Sequence, residues 1–172
     1  MKKILVMDAK NYDAALPEIC RVAIRGIIFA EGKLLLVRSN FGEVKFPGGG
    51  QENGENDFDT LTREIAEETG YHIRPDSIRE FGEVEEKRLS TKEPMVWHQF
   101  NRYYFCDIEG NPTECQYTES EKKYGLHQVW CSLDDAVRIN QEMLCKEGIH
   151  AWNQREFNVL KLLQTYMQDQ PL

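Results

Sequence analysis

The chain reads as one mixed α/β domain, on three observations. Its apolar runs at residues 4–7, 27–29 and 34–37 have the length of strands, and three later segments carry apolar residues at helical spacing. Strands and helices then follow one another without a regular βαβ repeat, which favours a mixed sheet over a doubly wound parallel one. With 172 residues, 41% hydrophobic and 29% charged, the material suffices for one globular domain, and no internal repeat, low-complexity tract or linker divides it.

A first strand is expected near residues 3–8, followed by an irregular stretch through Pro17. Residues 21–30 and 33–38 are two β-rich runs separated by Glu31-Gly32, which reads as a hairpin. The segment NFGEVKFPGGGQENGE that follows is dense in glycine, and glycine permits backbone conformations and close ligand approach that a side chain would block. From residue 57 the period changes. Phe58, Leu61 and Ile65 recur at helical spacing, Asn56 is a suitable N-cap and Gly70 a suitable C-cap, so a helix is expected over 57–69. Strands follow near 78–88, 97–106 and 127–131. Ser132 opens a further helix, with Asp135 where a capping box usually has Glu or Gln, and with Leu133, Ala136, Val137 and Leu144 as its apolar face. A last amphipathic helix spans 152–167 and buries Phe157, Leu160, Leu163 and Met167.

No apolar run approaches the ~20 residues of a membrane span, and the four-residue apolar stretch near the N-terminus is too short for a secretory signal. The expected setting is cytoplasmic. Five cysteines, Cys20, Cys106, Cys115, Cys131 and Cys145, form no C-x-x-C pair, and the odd total leaves one thiol free in any monomeric disulfide scheme. They read as packing residues in a reduced compartment. A formal charge of −8 argues against bulk nucleic-acid binding or attraction to an anionic membrane. His72, His98, His127 and His150 form no ligand-spaced pair along the chain, and none is assigned a catalytic role.

The chemistry gathers on the central helix. At roughly 100° per residue, Glu64, Glu67 and Glu68 fall within about a third of its circumference, beside the apolar sector of Phe58, Leu61 and Ile65. Like charges at these spacings cost a few tenths of a kcal/mol per pair, so helix stability gives no reason to collect them. A hard divalent cation does, because Mg²⁺ and Mn²⁺ take carboxylate, water and phosphate oxygens. A Glu-rich helix face is also, more often, merely solvated; what weighs against that plain reading is the rest of the segment.

From Gly49, GGQENGENDFDTLTREIAEETGY resembles the Nudix box, G-x5-E-x7-R-E-U-x-E-E-x-G-U with U aliphatic. Gly49, Glu55, Arg63, Glu64, Ile65, Glu67, Glu68 and Gly70 all match, and only Tyr71 departs. KFPGGG before the box and EKKYGLHQVWCSLDDAV after it are similar to segments that flank it in bacterial Nudix proteins. The resemblance implies a Nudix α/β/α sandwich with a mixed central sheet, the box forming loop, helix and loop, and a pyrophosphohydrolase acting by attack of water at phosphorus. It implies Mg²⁺ or Mn²⁺ on Glu64, Glu67 and Glu68, with help from the Gly48 carbonyl. It gives Glu55 and Arg63 a supporting salt bridge, Glu55 also being able to join the metal shell. A general base outside the helix is expected on the loop between the strands near Cys106 and His127, with Glu121 first and Glu119 second among Asp107, Glu109, Glu114, Glu119 and Glu121.

Substrate identity is less legible. The proline of many ADP-ribose pyrophosphatases and the tyrosine of many dinucleoside polyphosphate hydrolases fall where this chain has EEKRL, residues 85–89, and neither is present. Leu34-Leu35, Arg38-Ser39 and the following FPGG are only partly similar to the coenzyme A pyrophosphatase motif, lacking its arginine and its spacing. Arg25, Arg38 and Lys45 are candidates to grip phosphate; Phe41, Trp97, Tyr124 and Trp152 are candidates to stack on a base, with core packing the commoner use of such residues. The implied partner is a small anionic, nucleotide-like substrate, and a homodimer remains open. Two rival functions, a Nudix-superfamily isomerase and a non-catalytic nucleotide sensor, fit the intact box and the absence of an appended DNA-binding module less well.

Overall fold

The computed structural model describes residues 1–169. Two helical layers enclose the sheets, and the alternation of side chains along the strands sorts residues to one layer or the other. Strand β1 (Lys3–Asp8), β2 (Glu18–Ile27), β6 (Gly48–Gly50), β8 (Arg79–Leu89) and β9 (Val96–Phe105) form a five-stranded sheet in the order β1-β8-β9-β2-β6. It is mixed: β1 runs parallel to β8 and β2 parallel to β9, whereas β8/β9 and β2/β6 are antiparallel. A second sheet has the order β11-β4-β3, from β11 (His127–Cys131), β4 (Lys33–Arg38) and β3 (Phe29–Ala30), with β5 (Val44–Lys45) paired to β4. β7 (His72–Ile73) and β10 (Ile108–Glu109) make a small separate pair.

The expected hairpin exists only in part. Phe29–Ala30 turns back onto β4, but the run is cut at Ile28, and the long piece before it belongs to the other sheet beside β9. The physical reason is burial on both sides. Leu34 and Leu36 face one core and Leu35 the other, all fully buried. Strands covered on both faces read as continuous apolar runs, and such runs do not announce which neighbour they pair with.

Helix α1 (Asp57–Thr69) lies on one side, where Leu61 and Ile65 pack with Ile24, Ile28, Leu35 and Tyr104. On the other, α3 (Leu133–Met143) and α4 (Trp152–Asp169) cover Leu34, Leu36, Phe46, Tyr103 and Phe105 through Ala136, Val137, Val159, Leu160 and Leu163. Phe58 departs from its expected burial: it is 53% exposed and only edges onto the Tyr104 ring. Met143 is buried where Leu144 was expected to be, because the helix closes at Leu144. The short helix α2 (Glu119–Lys123) was expected as loop.

Candidate active site

Asn56 caps α1 as its sequence predicts, accepting from the N–H groups of Phe58 and Asp59, while Asp59 Oδ2 accepts from the Asn56 N–H at 3.0 Å. At the other end Gly70 has φ of 72°, and a Cβ there would lie 2.1 Å from the Thr113 carbonyl oxygen. The helix is therefore fixed at both ends. Ile65 packs into the space left by Gly26, where a Cβ would lie 2.7 Å from Cδ1 of Ile65, so glycine in β2 lets the acidic helix approach the sheet.

That approach pushes two of the glutamates inward. Glu64 and Glu68 are 8% and 1% exposed, and Glu67 sits on the rim. Glu68 accepts from the Gly48 N–H at 2.7 Å and from Lys45 Nζ at 2.6 Å. Glu64 lies against Gly49, where a Cβ would come within 2.5 Å of both carboxylate oxygens. Burial pushes the Glu64 carboxyl above its ordinary range, against the lowering effect of Arg63, with the neighbouring Glu68 charge adding to the rise.

Arg63 ties the cluster together. Its Nε and Nη2 donate to the two Glu55 oxygens at 2.7 and 3.0 Å, and its Nη1 donates to Glu64 at 2.7 Å and to Glu67 at 3.2 Å. Glu55 also accepts from the Glu52 N–H and the Thr60 hydroxyl. With Arg63 as the largest influence, its carboxyl is held down to about 2. Glu55 is thus committed to bracing the loop. Four carboxylates, Glu55, Glu64, Glu67 and Glu68, face two side-chain cations, Arg63 and Lys45, leaving a formal charge of −4 + 2 = −2. One divalent cation balances that residue of charge, and hard carboxylate oxygens beside a glycine strand are the donors Mg²⁺ or Mn²⁺ takes. In charge and donor type the residues present suit such an ion, with Arg63 and Lys45 now occupying carboxylate oxygens that it would share.

The other expected positions separate. Arg25 is 7% exposed and points into the protein, where Nη1 donates to the Phe46 and Gly48 carbonyls at 3.2 and 3.0 Å and Nε stands 3.7 Å from Glu156. It shapes the glycine loop from beneath rather than facing a phosphate. Its bond to the Gly48 carbonyl takes one of that oxygen's two lone pairs and leaves the other for the expected metal. Arg38 donates to the Gly42 carbonyl, next to Met143 of α3, and does not join the glutamates. Lys45 alone of the three stands within the cluster.

The chain between β9 and β11 returns across the C-terminal end of α1, whose last carbonyls need partners. The Thr113 N–H donates to Gly70 O, the Gln116 N–H to Glu67 O and the Tyr117 hydroxyl to Glu68 O, at 2.7, 2.7 and 2.8 Å. This docking carries α2 to the site. Glu121 closes a capping box with Thr118 and lines a cleft of about 360 Å³ together with Lys45, Arg21, Tyr124, His150 and Trp152. Glu119 is 91% exposed and paired with Lys122 at 2.8 Å; it does not line the cleft. The His150 and Trp152 rings stack at 5.3 Å, and Tyr124 and Phe41 meet His150 edge-on at 4.7 and 5.0 Å. Tyr124 and Trp152 therefore wall the cleft rather than fill the core. Trp97 lies under the guanidinium groups of Arg21 and Arg88. Arg21 escaped the sequence reading and His150 was given no role in it, since neither belongs to a motif and both meet the cleft only through the tertiary fold. A larger cleft, about 500 Å³ between residues 29–32 and 132–134, lies away from the carboxylates.

An α/β/α sandwich with a glycine strand facing an acidic helix defines the class, and comparison with known proteins gives the family. The NUDIX domain model matches residues 20–152, and the chain belongs to the Nudix family. It is 29% identical over 86 residues to YjhB of Bacillus subtilis (strain 168), provisionally named an ADP-ribose pyrophosphatase; the match covers 49% of this chain and 40% of that relative. The chain thus spans less than half the length of that relative. Among solved structures, the E. coli ORF135 protein superposes with a TM-score of 0.57 at 18% identity, covering 88% of this chain and 94% of that one. The MutT NUDIX hydrolase of Burkholderia pseudomallei gives 0.56 at 19%, covering 81% and 97%. An ADP compounds hydrolase gives 0.58 at 18%, covering 88% and 75%. At these identities the structural likenesses establish the fold alone.

Proposed function

We propose that this protein is a divalent-metal-dependent hydrolase that cleaves the diphosphate link of a nucleoside diphosphate joined to another group, by attack of water at phosphorus. The supporting observation is the pair of buried carboxylates, Glu64 and Glu68, with Glu67 at the rim, gathered against a glycine backbone with two negative charges left over. Glu64, Glu67 and Glu68 would hold Mg²⁺ or Mn²⁺. When bound, such an ion neutralises phosphate oxygens and acidifies a water. Lys45, paired with Glu68, supplies positive charge to the cleft, and Glu121, which lines the same cleft, is the group proposed to take the proton from water. Arg63 and Glu55 keep the carboxylates in register with the loop. Arg21, Tyr124 and Trp152 give the cleft a cation and flat rings, which suits an anionic substrate carrying a base.

The presence of a protein named as an ADP-ribose pyrophosphatase and of an ADP compounds hydrolase among the similar proteins makes ADP-linked diphosphates the first compounds to try. The test is a panel of ADP-ribose, nucleotide sugars, dinucleoside polyphosphates and nucleoside triphosphates with Mg²⁺ or Mn²⁺ in ¹⁸O-labelled water. Expected is metal-dependent turnover of a diphosphate with label in a phosphate-bearing product. Label confined to a non-phosphate product, or isomerisation without hydrolysis, would contradict the proposal.

A further inference from the structure

We propose that Glu18, Cys20 and His98 form a second cation site, suited to Zn²⁺ or a similar borderline-soft divalent ion and sharing no residue with the glutamate cluster. Glu18 and Cys20 are two apart in β2 and so project from one face of the strand. His98 is the register partner of Cys20 on the adjacent parallel strand β9. Strand pairing thus delivers a carboxylate, a thiol and an imidazole to one point. The donor atoms are already close: Cys20 Sγ is 3.5 Å from Glu18 Oε1 and 3.9 Å from His98 Nδ1, and Glu18 Oε1 is 2.6 Å from His98 Nδ1.

Tetrahedral zinc, with bonds of about 2.0–2.3 Å, sets its donors roughly 3.3–3.8 Å apart. The Cys20–Glu18 edge, 3.5 Å, falls inside that range, the Cys20–His98 edge, 3.9 Å, need close only slightly, and the Glu18–His98 edge must open by less than about an ångström. Glu18 is a half-exposed side chain at the start of β2, able to make that adjustment.

A second observation points to a metal rather than to a chance polar cluster. His98 Nε2 lies 2.8 Å from Glu85 Oε1. A carboxylate on the far nitrogen fixes the imidazole tautomer and leaves the near nitrogen as the donor, which is how metal-bound histidines are usually held. Each acid also has its second oxygen on a lysine: Glu18 Oε2 on Lys87 at 2.6 Å, and Glu85 Oε2 on Lys3. Oε1 of Glu18 can turn to an ion without breaking the Lys87 pair. Binding would replace the proton between Glu18 and His98 Nδ1 and release the thiol proton of Cys20, leaving three protein ligands and one position open to solvent. A thiolate and an imidazole select against Mg²⁺, so the two sites would not compete for one ion. The neighbours Arg21 and Trp97 project to the opposite face of the same strands, where Arg21 lines the cleft, so an ion clamping β2 to β9 would brace that wall.

The test is a titration of the reduced, chelator-stripped full chain with Co²⁺ and then Zn²⁺, in excess Mg²⁺, followed by the thiolate-to-cobalt charge-transfer absorption. One equivalent should produce the band and Zn²⁺ should abolish it. Cys20→Ser should remove the band, Cys145→Ser should keep it, and Glu85→Gln should weaken Zn²⁺ binding by about 10–100-fold. The absence of a band in the wild-type chain, or a band that survives Cys20→Ser, would overturn the proposal. Because Cys20 is exposed, its loss should leave the fold intact, and circular dichroism of the variant checks this.

Discussion

At the scale of single residues, the two acids considered for the base are separated by where α2 sits. Both belong to one short helix, yet only Glu121 lines the cleft with Lys45, whereas Glu119 stands in solvent beside Lys122. General-base catalysis contributes ~10² to 10⁴-fold, so Glu121→Gln should lower kcat by about that factor and Glu119→Gln by less than about twofold. Steady-state kinetics on both variants checks this. Glu121 also caps α2 through the Thr118 N–H and hydroxyl at 2.7 and 2.8 Å, so a structural effect must be distinguished. Partial rescue of kcat at raised pH marks the loss of a proton acceptor; an unchanged fractional loss across pH would assign Glu121 to positioning. Gly49 shows the same economy of position. Its missing Cβ leaves room for the Glu64 carboxylate, a constraint the bare box pattern contains but does not explain.

At the scale of elements, α4 is joined to three strands by a buried ionic network. Arg155 donates to Glu86 of β8 at 2.7 Å and to Glu156 at 3.0 Å, while Glu156 accepts from the Phe46 N–H and the Tyr103 hydroxyl of β9 and lies near Arg25 of β2. Burial alone would raise the Glu156 carboxyl; the charges of Arg25 and Arg155 and the Phe46 N–H outweigh it, and the net direction is downward. A carboxyl depressed on folding stabilises the fold fully above its unfolded value, 4.5, and loses that contribution as pH falls below it. Urea midpoints should therefore fall as the pH is lowered through and below this value, and Glu156→Gln should be less stable near neutrality yet flatter in that window. A variant whose acid dependence matched the wild type would remove Glu156 from the account. None of this network was legible from sequence. Glu86 and Arg155 are 69 residues apart, and nothing in local spacing brings them together.

At the scale of the whole molecule, what the sequence revealed and what it hid follow one rule. Helix α1 was readable to its ends, Asp57–Thr69, because its caps and its apolar period are local. Strand β11 was readable at His127–Cys131 for a similar reason, being bounded by Gly125 and Ser132. The hairpin at Glu31-Gly32 was overextended because both faces of its strands are buried, and pairing then depends on neighbours distant in the chain. The same distance hid the Glu18–Cys20–His98 cluster. Cys20 and His98 form no ligand spacing along the chain but are register partners in the sheet, and the expectation that the cysteines pack in the core fits Cys106, whereas Cys20 and Cys145 are exposed. Among the described residues no helix is long and apolar enough to cross a membrane. The formal charge of −8 would repel an anionic substrate at long range, so a cation at the glutamate cluster is central to the proposed chemistry.

That cation is best tested by a Mn²⁺ binding isotherm, followed by water proton relaxation, on the wild-type chain and on the Glu67→Gln/Glu68→Gln double variant, with circular dichroism confirming that both are folded. The account predicts saturable Mn²⁺ binding by the wild type, weakened at least about tenfold in the variant because two hard charged donors become neutral amides. Turnover should fall with it by orders of magnitude. Superimposable isotherms from two folded proteins would contradict the assignment of the metal to this helix.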